Sequence, residues 1–120
     1  MDTNALEQAL LKIVGKREEL SKIDYSNPKY DDLEEELHDL EDELQDKYGD
    51  FLEEALQHVH DEYCPDNDVL MPIGYIGQGV PVEVDKLPGK DTRLLLAPSP
   101  VRIILSVGKD KQQVVWSLEK

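Results

Sequence analysis

The chain has 120 residues, 27 acids against 13 bases, a formal net charge of −14 and one cysteine. That length suits a single domain with a real core. One cysteine excludes an internal disulfide framework, and the acid excess excludes phosphate-led nucleic-acid binding, which needs Lys and Arg.

No stretch approaches about 18 apolar residues, so no membrane span is expected. The N-terminus lacks a basic region followed by an apolar run, so no signal peptide is read and a cytoplasmic location is expected. A hydrophobic fraction of 39% is low, but the apolar residues are strongly patterned, which argues against wholesale disorder.

A first helix is predicted over residues 4–23. Thr3 or Asn4 would cap it, Asn4 and Glu7 having capping-box spacing. Leu6, Ala9, Leu10, Ile13, Leu20 and Ile23 recur at three- and four-residue steps. Tyr25-Ser26-Asn27-Pro28 breaks the pattern, with Asn27 as N-cap and Pro28 at the first position of a second helix. That helix carries Tyr30, Leu33, Leu37, Leu40, Leu44 and Tyr48 on one stripe. Folding the stripes together pairs Ile23 with Tyr30, Leu20 with Leu33, Ile13 with Leu40, Leu10 with Leu44 and Leu6 with Tyr48. The paired numbers sum to 53 or 54 throughout, as an antiparallel hairpin with a short loop requires. Between them Gly15, Lys16 and Arg17 interrupt the first stripe, where long stems would cover apolar surface and keep their charges wet.

Phe51, Leu52, Ala55, Leu56 and Val59 prolong the second stripe towards Tyr63. Either one helix runs over residues 28–63, or it breaks at Gly49 and a third helix starts at Asp50, which has capping-box spacing to Glu53. In both cases residues 51–63 outrun the first helix and must cover something else.

Cys64-Pro65-Asp66-Asn67-Asp68 reads as a turn-rich linker, over 64–69. β-branched residues dominate beyond it. Strands are expected at Leu70–Ile76, Val80–Val84, Arg93–Ala97, Val101–Val107 and Gln113–Leu118. Gly77-Gln78-Gly79, Leu87-Pro88-Gly89-Lys90, Pro98-Ser99-Pro100 and Gly108–Gln112 connect them, and short links imply antiparallel neighbours. Alternation puts Val80, Val82 and Val84, then Val101, Ile103, Leu105 and Val107, then Val114, Trp116 and Leu118 on one buried face. The helical overhang from Phe51 to Val59 is its cover. The fold class is therefore α+β: one domain over 1–120, with a helical hairpin (three helices in the alternative) over 1–63 and a four- or five-stranded antiparallel meander over 70–120. Leu95, Ile104 and Val115 fall on the other face of neighbouring strands, where polar residues are usual. Three large aliphatics there suggest an association patch, a homodimer being its simplest form.

Charge is segregated. Residues 1–23 are neutral, residues 24–68 carry a net −16, and residues 69–120 carry +2. Adaptation to high salt would put acid on every surface, which the last segment contradicts. Asp31–Glu35, Asp32–Glu36, Glu35–Asp39, Asp39–Glu43, Asp42–Asp46, Asp46–Asp50 and Asp50–Glu54 are like-charged pairs one helical turn apart, opposed only by Glu43–Lys47. Their repulsion totals about 1.5–3.5 kcal/mol at low salt. The block is either a solvated face or a docking surface for a basic protein partner, in which case Asp39, Asp42, Glu43 and Asp46 carry it.

Chemistry is sparse. His58, His60, Asp61 and Cys64 are of metal-ligand type, but HExxH and paired CxxC are missing. Asp66-x-Asp68 lacks the third oxygen ligand and the Gly of a calcium loop, and Glu35-x-x-His38 occurs once where a di-iron bundle needs it twice. Gly74–Gly79 precedes a strand and is explained by a hairpin. Cys64 with His60 lacks the constellation of a thiol enzyme, and acidic neighbours raise a thiol's pKa. Ser99 is a turn residue. The expectation is a non-enzymatic interaction module with no cofactor. The alternatives are a metal-binding protein using His58, His60, Asp61 and Cys64, and a ligand or enzymatic pocket between helix and sheet near Tyr63, Tyr75 and Trp116.

Overall fold

A computed structural model describes residues 2–98, 100–108 and 110–118; the turn reading of Ser99 lies outside them. The chain forms α1 (Thr3–Ser21), α2 (Tyr30–Tyr63), a 3₁₀ turn (Pro72–Tyr75), then β1 (Val80–Val82), β2 (Thr92–Pro98), β3 (Val101–Val107) and β4 (Lys111–Ser117). The architecture is α+β, a helical hairpin followed by a four-stranded antiparallel sheet in the order β1-β2-β3-β4.

The cap of α1 is Asp2 rather than Thr3 or Asn4. Its carboxylate accepts the Ala5 N–H at 3.0 Å, so the helix starts a residue early. Asp24 and Asn27 shape the turn instead of capping: Asp24 accepts the Ser26 N–H at 3.0 Å and Asn27 accepts the Lys29 N–H at 2.9 Å. Pro28 therefore precedes α2, whose first turn holds Asp31 and Asp32 at the positive end of the helix dipole. Leu6, Leu10 and Ile13 of α1 are buried with Leu37 and Leu44 of α2, and Leu20, Leu40 and Tyr48 pack against them. A Lys16–Glu36 ion pair of 2.7 Å closes the hairpin close to the expected antiparallel register.

Of the two forms the sequence leaves open, α2 takes the unbroken one. Its 34 residues span about 51 Å, close to the molecule's longest dimension of 48 Å. Gly49 has a packing role instead: the side-chain amide of Gln45 lies where a Cβ would stand. Gln45 donates across it to Glu53 at 3.1 Å, so Glu53 does not turn back to cap at Asp50.

The Leu70–Ile76 strand does not form. Pro72 has no N–H to give a ladder, and the segment winds into the 3₁₀ turn, leaving Leu70 and Met71 half exposed and Tyr75 fully buried. Ile76 makes one isolated bridge to the sheet, at Leu96. β1 is short, although Val84 beyond it is still buried. On β2 the alternation holds, and across it Leu94 faces Leu105 and Leu96 faces Ile103, all buried; on β3 it is broken, because Ile104 is buried as well and Val107 is only half-buried.

β4 departs from strict alternation. Ile103 pairs with Trp116 but Ile104 pairs with Val114, so Val115 is an extra residue in a bulge. The bulge reverses the pattern beyond it. Val114 stands outward at 54% exposure, while Val115 is half-buried against the core. The second half of α2 covers the inner face. Leu52, Ala55, Leu56 and Val59 share one core with Leu94, Leu96, Ile103 and Leu105, and the Phe51 ring meets Trp116 edge-on at 6.0 Å.

Candidate functional site

α2 carries 15 acids and one lysine, whereas the four strands hold three bases and no acid. Asp39, Asp42, Glu43 and Asp46 are all exposed. At 100° per residue they fall within an arc of about 100°, which also contains the exposed Asp32, Glu35 and Asp50, a stripe about 27 Å long. Lys47 reaches Glu43 at 2.7 Å and holds its carboxyl below the usual carboxylate range, its own ammonium being raised in turn. Both groups are fully in water, so the pair adds little to stability.

Outside the stripe, Glu36, Glu41 and Glu53 of α2 have partners within the fold. Arg17, on α1, donates to Glu41 at 2.8 Å and to the carbonyls of Ile73 and Ile76 at 3.1 and 3.0 Å. The guanidinium thus ties both helices to the 3₁₀ turn, satisfying carbonyls at its C-terminal end. The expectation that its charge stays wet is corrected: the side chain is part-buried, and its fork does the joining. Nothing local in the sequence announces this, because the carbonyls lie 56 and 59 residues away.

The metal-type residues are dispersed. His58 and Asp61 face solvent, Asp61 accepting from Gln57 at 2.8 Å. His60 and Cys64 face the core. Among the described residues no three His, Cys, Asp or Glu side chains gather as a metal ion would need. The His60 ring is committed to structure: Nδ1 donates to the Asn67 carbonyl at 2.9 Å and Nε2 accepts the Tyr75 hydroxyl at 3.0 Å. That hydroxyl also accepts the Leu70 N–H at 3.0 Å, and burial raises its pKa above the ordinary phenol value. Asn67 continues the chain of bonds, its side-chain oxygen accepting the Glu83 N–H at 2.7 Å. Burial, with the charge of Asp85, pushes the Cys64 thiol up to about 11, the opposite of what a nucleophile needs.

Where a helix–sheet pocket was expected, Tyr75 is sealed in the core and Trp116 packs on Phe51. What remains outside is an open depression bounded by Phe51, Glu54, Ala55, His58 and Trp116.

Comparison with protein-family models, with curated proteins and with solved structures found no match.

Of the expected outer patch, Leu95 and Ile104 pair across β2 and β3, and the bulge brings Val114 rather than Val115 beside them. Val115 is accordingly removed from that face. No described helix is long and apolar enough to cross a membrane.

Proposed function

We propose that this chain is a protein-docking module in which the carboxylate stripe of α2 engages a basic surface on another protein. The observation that carries the reading is the stripe itself: seven exposed carboxylates within one arc of a single helix, in a molecule whose strands have none. Like charges at helical spacing destabilise a free helix, and a cationic partner relieves that repulsion. Electrostatic docking of this kind speeds association and selects partners more than it deepens affinity. A lone buried thiol suits a reducing compartment, which supports a cytoplasmic location.

The test is titration with a lysine- and arginine-rich peptide. Binding should weaken at least tenfold between about 50 and 500 mM salt, where the Debye length shrinks from roughly 14 to 4 Å. Reversal of Asp39, Asp42 and Glu43 to lysine should abolish it. Binding that persists in high salt, or survives the reversal, contradicts the reading.

A further inference from the structure

The sheet has two faces, and the helices occupy only one. On the other, residue pairing lays out three rows. The central row is Leu95, Ile104 and Val114, in register across β2, β3 and β4. One flanking row is Arg93, Ser106 and Gln112; the other is Ala97, Arg102 and Ser117. Because neighbouring strands run antiparallel, the two arginines stand on opposite sides of the aliphatic row. At the β1 edge the row ends on Gly79, whose φ of +78° and close approach to the Leu94 carbonyl leave no room for a side chain. Val114 is 54% exposed, and Ile104, though only 9% exposed, lies outside the main core cluster.

We infer that this open face docks an acidic amphipathic segment of another protein, apolar along its centre and bordered by carboxylates. The charge layout selects that occupant. No strand residue is acidic. Arg93 has no side-chain partner among the described residues, and Arg102 spends one N–H on the Pro100 carbonyl at 2.8 Å, keeping its other donors. A guanidinium fork is suited to carboxylates in two-bond geometry. A second copy meeting face to face would instead bring four arginines together with no acid between them. The stripe on α2 does not spoil the site. Its carboxylates are centred near Asp42, about 20 Å along the helix from Ala55 and Leu56, which cover the opposite face of the sheet, and exposed charges further apart than the ~8 Å Debye length at physiological salt are largely screened.

The experiment uses the full chain and two amidated peptides of about 15 residues, enough for a short helix. One has leucines on one face bordered by glutamates; its twin has lysines in place of the glutamates. The acidic peptide should shift the backbone amide signals of Leu95, Ile104 and Val114. The lysine twin should leave them unmoved and act on α2 instead, so this inference and the proposed function fail separately. Arg93→Glu with Arg102→Glu should weaken the acidic peptide at least tenfold, and Arg93→Gln with Arg102→Gln, which keeps the polar surface, should weaken it by a smaller factor. Far-UV spectra confirm that both variants are folded. No shift with the acidic peptide, equal shifts with the twin, indifference to both double variants, or a self-association through this face that excludes the peptide each overturns the inference.

Discussion

His60 shows how a side chain of catalytic type is consumed by structure. It is 1% exposed, and each ring nitrogen already has its partner: a carbonyl that can only accept and a hydroxyl that donates. His60→Phe fills the space but leaves the Tyr75 hydroxyl proton without its acceptor and the Asn67 carbonyl without its donor, the Leu70 N–H bond to Tyr75 remaining. Unfolding in denaturant should show a loss of about 2–6 kcal/mol, at 1–3 kcal/mol for each of the two groups left unpaired. His60→Phe combined with Tyr75→Phe should cost less than the two single changes added, since the pair acts as one unit. Additive costs would place the two residues in separate networks. Cys64 gives the pH dependence. Its folded value is raised from 9.0 to about 11, so the neutral thiol is favoured in the fold. The stability this represents is complete below pH 9 and is lost as pH climbs through about 11. Unfolding free energies measured across that window should fall more steeply for the native chain than for Cys64→Ala. At neutral pH the folded thiol should resist a thiol reagent that labels it at once in denaturant. Neither the His60 network nor the Arg17 clasp was legible in the sequence. Both depend on partners distant along the chain, and a residue type alone does not say which backbone carbonyl it will find.

Elements were legible where their period was undisturbed. The two apolar stripes of the hairpin, and the alternation in β2 and β3, placed most buried residues correctly, because burial on one face leaves a mark of fixed period. The failures sit where period breaks. Pro72 stands inside the run read as a strand, and a proline there is the available signal against a ladder. The bulge at Val115 has no such signal: one added residue exchanges the faces of Val114 and Val115 without altering composition. For α2, the choice at Gly49 turned on Gln45 folding over the glycine, a side-chain arrangement that capping-box spacing does not encode. The acidic stripe makes a prediction at this scale. Seven like-charged pairs one turn apart cost about 1.5–3.5 kcal/mol at low salt. Raising sodium chloride from about 20 to 300 mM, which cuts the Debye length from roughly 20 to 6 Å, should therefore raise the melting temperature. A stability indifferent to salt would mean that the carboxylates repel too weakly to matter, and the stripe would lose its energetic argument.

At the scale of the whole molecule, α2 is the beam that joins two halves of different charge. Its first half closes a hairpin with α1, and its second half roofs the sheet through Leu52, Ala55, Leu56 and Val59. The acid is concentrated on α2, α1 is neutral, and the four strands hold three bases and no acid, so the charge of the two halves differs across one core. Both docking readings depend on that core being a single cooperative unit, since a sheet that opened independently would expose the face now under α2. Leu56 is fully buried within it, and Trp116, the only tryptophan, reports from β4 beside Phe51. The most direct measurement follows denaturant unfolding by far-UV dichroism, for the helices, and by Trp116 fluorescence, for the sheet, in the native chain and in Leu56→Ala. The two signals should trace one coincident transition, and Leu56→Ala should shift both together by about 2–5 kcal/mol. Separate transitions, or a substitution that moves the helical signal and leaves Trp116 unchanged, would contradict the shared core on which the rest is built.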